Sequence, residues 1–229
     1  MTPASYIDRH TPDLIRRLRH LVGLPTVNPP GAHYAPITAW LTRELGAVGL
    51  QARRYPLPRA LLKKCLPPEQ HRFPRYNVLG KLPVRGAKKT IHFNAHYDVV
   101  PVSGQWKHAS PFSGAIDGDW IYGRGTADMK GSIASLLLAL QALRATGIAP
   151  RLNVEVSFTA DEETDSALGT GWLVAHARYE EAVRIAAQHR AARPNDSRAE
   201  DEHRLASVAW MLEEGRRLPR QKLFGPPAD

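Results

Sequence analysis

Five side chains in the 229-residue sequence have the types and spacing to hold a metal ion and move a proton: His96, Asp98, Asp128, Glu162 and Glu163. His96 and Asp98 stand two residues apart, directly after Thr90-Ile91-His92-Phe93. In an extended chain alternate residues share a face, so the two side chains point the same way. Asp128 lies in Tyr122-Gly123-Arg124-Gly125-Thr126-Ala127-Asp128-Met129-Lys130-Gly131. Asp161, Glu162 and Glu163 close the alternating run Leu152–Ala160. One imidazole and several carboxylates gathered at one sheet edge suit zinc or another borderline divalent ion.

Taken singly, each residue has an ordinary role. His96 could be a hydrogen-bonded core histidine, Asp98 a turn cap, Asp128 the cap of the following helix, and Glu162-Glu163 two exposed acids. Taken together these readings weaken, because adjacent carboxylates repel and one of them should titrate high unless a cation neutralises the pair. The glycines around Asp128 match neither the phosphate loop GxxxxGK[ST] nor the dinucleotide pattern GxGxxG. They read as a tight turn that brings Asp128 inward.

The elements that position these residues follow from periodicity. Apolar residues at helical spacing predict a helix over 4–22, with Thr11-Pro12-Asp13 as an N-cap and first turn, and a second over Ala35–Val48 ending at Gly49. Residues 56–76, rich in proline and basic side chains, read as an irregular excursion. Asn77–Leu82 and Thr90–Ala95 read as strands joined by a turn around Gly86, and 101–118 as a long functional loop. Ser132–Thr146 is an apolar helix, Leu152–Ala160 a strand, and Thr170–His176 a further helix. Strands alternating with apolar helices predict an α/β fold, a mostly parallel sheet flanked by helices. Functional residues of such sheets gather beyond the carboxyl ends of the strands. After Ala177 the chain is rich in Arg, Ala and Glu without strand patterning, and reads as a separate helical segment over 178–229.

Composition narrows the partners. The net charge is +9, with 31 Lys+Arg against 22 Asp+Glu, but no basic helix with interleaved aromatics and no zinc-finger spacing supports nucleic-acid binding. No apolar run approaches the ~20 residues of a membrane span, and the N-terminus lacks the apolar core of a secretory signal. The single cysteine, Cys65, excludes an internal disulfide. A cytoplasmic protein is the simplest expectation.

The motifs His96-Tyr97-Asp98, Gly123–Gly131 and Thr159–Glu163, in that order with an apolar helix between the last two, resemble the M20 metallopeptidase family. That group includes acetylornithine deacetylase, succinyl-diaminopimelate desuccinylase, aminoacylase and glutamate carboxypeptidases. The resemblance covers about residues 1–175. It implies two divalent ions, Zn2+ or alternatively Co2+, and an N-acyl amino acid or small peptide as substrate. It implies that His96 binds the first ion and that Asp98 orients its imidazole. Asp128 bridges both ions, its bond to Met129 often cis in the family, and Glu163 binds the second. Glu162 is then the general base, taking a proton from the attacking water and returning it to the leaving amine. Ions about 3.5–4 Å apart would polarise the scissile carbonyl and acidify the water toward about 7.

The sequence departs from that family after Ala177. The family's further acidic and histidine ligands and its inserted dimerisation domain have no match; Glu180, Glu181, Asp196, Glu200, His189 and His203 read as surface residues. The expectation is therefore a partial catalytic domain over 1–177 and a non-matching segment over 178–229. Truncation and low or absent activity follow from it, with a non-catalytic remnant that keeps the fold as the alternative.

Overall fold

The computed structural model describes residues 1–108 and 110–176. Its main sheet joins β1 (Gln51–Pro56), β2 (Tyr76–Leu82), β3 (Thr90–His96) and β6 (Asn153–Thr159). The spatial order is β1-β2-β6-β3. A separate hairpin pairs β4 (Ala115–Asp117) with β5 (Trp120–Tyr122), so the end of the predicted 101–118 loop is ordered as strand. The helices are α1 (Pro3–Arg9), α2 (Thr11–Val22), α3 (Tyr34–Ala47), α4 (Arg59–Cys65) and α5 (Gly131–Ala145).

The α/β class with helices packed on a sheet is as expected, and the strand directions refine it. β3 runs parallel to β6, whereas β2 is antiparallel to β6 and β1 to β2, so the sheet is mixed. The reason is topological. β2 and β3, joined by the short segment 83–89, run in opposite directions, and β6 returns from α5 to lie between them. Being parallel to β3, it is necessarily antiparallel to β2.

Two local expectations are corrected, and one strand is added. The helix predicted over 4–22 breaks at His10, whose N–H donates to the carbonyls of Tyr6 and Ile7. Thr2 and Ser5 form a capping box at the start of α1, and Pro12 lies in the first turn of α2, whose N-cap position is His10 rather than Thr11 and has no side-chain cap. The excursion 56–76 contains α4, which buries Leu62. β1 escaped the reading because Gln-Ala-Arg-Arg-Tyr-Pro is an exposed edge strand without apolar alternation.

One core holds the unit 1–170 together. Val78 of β2, Val154, Val156 and Phe158 of β6 and Ala95 of β3 pack with Ile37, Leu41 and Leu45 of α3 and with Ile133, Leu137 and Leu140 of α5. Each such valine, leucine, isoleucine or phenylalanine side chain contributes about 1.5–3 kcal/mol on burial. A second unit begins at Gly171; in the helix over 170–176 Trp172 stacks on His176 at 4.7 Å. Among the described residues no helix is long and apolar enough to cross a membrane. The register Ala95↔Phe158 and His96↔Thr159 brings the carboxyl ends of β3 and β6 together, beside the start of β2.

Candidate metal centre

His96 is the last residue of β3 and is 4 % exposed. Its Nδ1 lies 3.1 Å from the backbone carbonyl oxygen of Asp98, a pure acceptor, so Nδ1 carries a proton. Nε2 on the other side of the ring faces acids: Asp128 Oδ1 at 3.0 Å and Glu162 Oε2 at 3.7 Å. One ligand atom each from His96, Asp128 and Glu163 lies within 4.8 Å of the others. Burial pushes the His96 imidazole down, but the hydrogen bond and charge of Asp98, then Asp128 and Glu162, outweigh it and lift the pKa to about 9. The acids around the ring thus favour positive charge at this place. A borderline nitrogen and two carboxylate oxygens fit a zinc-like ion at the same place. The high titration expected for one of the paired acids falls on Glu163, raised by burial and by Asp128, Asp98 and Glu162 against His96.

Asp128 is delivered by a loop fixed at both ends. Gly125 precedes it at φ +87°, and a Cβ there would sit 2.7 Å from Val99 Cγ1. The Asp128–Met129 peptide is cis, and Met129 Sδ accepts the N–H of His96 at 3.4 Å. Lys130, fully buried, donates from Nζ to the carbonyls of Leu21 at 2.9 Å and Leu24 at 2.8 Å, which ties the loop to the end of α2. Burial pulls its ammonium down to about 7, opposed by the Asp98 charge.

Glu162 and Glu163 lie beyond the strand: β6 ends at Thr159, and the two acids stand in a turn. Asp161 opens the turn at φ +57°, and its carbonyl accepts N–H groups from Thr164, Asp165 and Ser166. The amide of Glu162 donates to Asp98 Oδ1 and that of Glu163 to Asp98 Oδ2, each at 3.2 Å. Asp98 therefore serves two elements: its carbonyl and, at 3.4 Å, its Oδ1 face His96 Nδ1, and its two carboxylate oxygens hold the glutamate backbone.

Behind the turn lies a buried polar network. Asn28 Nδ2 donates to Asp98 Oδ2 and Asp161 Oδ1, both at 3.1 Å. Tyr34 Oη donates to Asp161 Oδ1 at 2.9 Å, and Arg75 Nε bridges both Asp161 oxygens at 2.9 and 2.8 Å. Burial pushes the Asp161 carboxyl up while Arg75 opposes it. Sequence reasoning gave no role to Asn28, Tyr34 or Arg75. Asn28 stood in a proline loop, Tyr34 at a helix start and Arg75 in a basic excursion. Glu180, Glu181, His189, Asp196, Glu200 and His203 lie outside the described residues.

Comparison with known proteins adds the following. The model of peptidase family M20/M25/M40 matches residues 92–217, more than half of the sequence, and runs past Ala177. Succinyl-diaminopimelate desuccinylase of Dinoroseobacter shibae is 35% identical over 105 residues, which are 43% of this chain and 27% of that protein. The enzyme of the same name from Alkalilimnicola ehrlichii is 42% identical over 84 residues, 36% of this chain and 22% of that one. The chain therefore spans about a quarter of the length of these curated relatives. Among solved structures, human carnosine dipeptidase 1 matches with a TM-score of 0.63 at 23% identity, over 75% of this chain and 36% of that one. An M20 family metallo-carboxypeptidase from Sulfolobus solfataricus matches with a TM-score of 0.56, also at 23% identity, over 77% and 35%. At these identities the likeness establishes a shared fold.

Proposed function

The chain belongs to peptidase family M20/M25/M40, and from that premise we propose that it hydrolyses amide or peptide bonds with a bound divalent metal. The substrate class is an N-acyl amino acid or a small peptide. The names of the curated relatives support the acyl amino acid, and those of the fold neighbours the peptide. The observation that carries the reading is the convergence of His96, Asp128 and Glu163 within 4.8 Å, with Glu162 beside them.

In this reading His96, Asp128 and Glu163 hold the ion, zinc or cobalt. Such an ion supplies Lewis-acid polarisation of a carbonyl and acidifies water. Glu162, half-exposed, stands where water and substrate reach it. It takes the proton as the water oxygen bonds to the carbonyl carbon, and gives it to the nitrogen as the C–N bond breaks. Asp98 keeps the imidazole and the two glutamate amides in register. Three protein donors with an open position are the usual set for one catalytic zinc. A second ion sharing Asp128 needs donors beyond these three.

That count supports a second reading, a metal-binding chain with low or no turnover. Division of the chain at Ala177 and a cytoplasmic setting, supported by the single cysteine, belong to the same proposal. Metal content and hydrolysis of N-succinyl and N-acetyl amino acids, measured on one sample, separate the readings. Hydrolysis that falls about 10²–10⁴-fold in Glu162→Gln with metal retained supports the enzyme. Bound metal without turnover supports the second reading, and absence of both overturns the metal site.

A further inference from the structure

We propose that Arg75 is a positioning residue for the metal site, acting through Asp161 on the turn that carries Glu162 and Glu163. The proposal rests on the metal-hydrolase reading above and assigns a task to a fully buried side chain.

Arg75 is fully buried, and each of its guanidinium nitrogens is committed. Nε bridges the Asp161 carboxylate, Nη1 donates to the Phe73 carbonyl at 3.0 Å, and Nη2 donates to Gln70 Oε1 at 3.3 Å. Gly31 makes room for this fork: it has φ +83°, and a Cβ there would lie 2.2 Å from Nη1. A rigid planar guanidinium serves three separate partners at once, the Asp161 carboxylate, the Phe73 carbonyl and the Gln70 side chain, which the single ammonium of a lysine does not reproduce.

The anchored group matters because of its place in the chain. Asp161 is bonded directly to Glu162, and its own left-handed backbone opens the turn. Its Oδ1 also accepts from Tyr34 and from Asn28, and the same Asn28 amide reaches Asp98. Asp98 in turn accepts the amides of Glu162 and Glu163. The turn is therefore suspended at two points, from Arg75 through Asp161 and from Asp98. Without the guanidinium, two buried carboxylates share Asn28 with no cation between them. Repulsion then drives Asp161 outward, and the turn loses one of its two supports.

A pair that served only stability would be replaceable by apolar side chains of similar volume. The test uses the full chain and Co2+ alone as probe, read by visible absorption, with thermal melting alongside. The variants are Arg75→Met/Asp161→Leu, which fills the space, and Arg75→Lys, which keeps the charge but loses the fork. The proposal predicts cooperative melting in the double variant with cobalt affinity at least about tenfold weaker and a changed cobalt spectrum, as for outer partners of metal ligands. Arg75→Lys weakens cobalt binding in the same direction. A folded double variant with wild-type affinity and spectrum overturns the proposal. Should the double variant not melt cooperatively, Arg75→Lys decides, and wild-type binding there overturns it equally. If the unaltered chain binds no cobalt, the metal reading fails and this proposal with it; wild-type binding in the variants removes the proposal alone.

Discussion

His96 stands between a carbonyl that fixes one ring nitrogen and carboxylates that compete for the other. With a pKa of about 9, the imidazole is protonated at neutral pH, and a metal must displace that proton from Nε2. Zinc affinity should therefore rise about tenfold per pH unit up to about pH 9 and then level off. Calorimetry in buffers of different ionisation enthalpy should show about one proton released at pH 7.5. Folding stability is a poorer readout. The raised His96 stabilises fully below its ordinary 6.5, and that stabilisation is lost as pH rises through about 9. Lys130, lowered from 10.5 to about 7, works in the opposite direction, its penalty relieved as pH rises between those values. The two glutamates should separate by their effects. Glu163→Gln should weaken metal binding by more than the roughly 10–100-fold that outer partners contribute, and Glu162→Gln should spare it, as a metal titration of each variant would show. His96, Asp128 and Glu163, which the fold brings within 4.8 Å of one another, stood out in the sequence because few residue types bind metals and these follow predicted strands or sit in a glycine turn. Asn28 and Arg75 were not, because their partner Asp161 lies 133 and 86 residues away and no local pattern marks a contact at that range.

The loop from Gly123 to Gly131 shows how an element becomes a delivery device. Its left-handed step at Gly125 was readable from the glycine spacing, while its anchor, the buried Lys130 bonded to the end of α2, was not. Gly125→Ala should destabilise the fold by about 1–2 kcal/mol from the left-handed backbone alone, with crowding against Val99 adding to it. Urea unfolding would measure the difference. Lys130→Met removes the Nζ hydrogen bonds to the Leu21 and Leu24 carbonyls, each of which keeps one backbone donor, so the loss is about 0.5–1.5 kcal/mol per bond. The same urea midpoint should fall, and metal affinity with it as Asp128 loosens. Strongly periodic elements such as α3 and α5 were legible. The exposed strand β1 and the short helix α4 were not, since neither has enough buried residues to impose a period.

At the scale of the whole chain, strand–helix alternation predicted the α/β class but not the directions within the sheet, which depend on where β6 inserts. The family match continues to residue 217, so the residues after Ala177 bear on whether further donors reach the site. A chain ending at residue 177 should bind zinc as tightly as the full chain if the proposed division holds; weaker binding in a titration of both would place a donor in 178–229. The central claim is that His96, Asp128 and Glu163 form a site for a divalent ion, and elemental analysis of the purified full chain beside His96→Ala tests it most directly. The account predicts bound zinc in the unaltered chain and its loss in the variant at equal folding. An unaltered chain without metal after exposure to zinc, or a variant that retains it in full, would contradict the account.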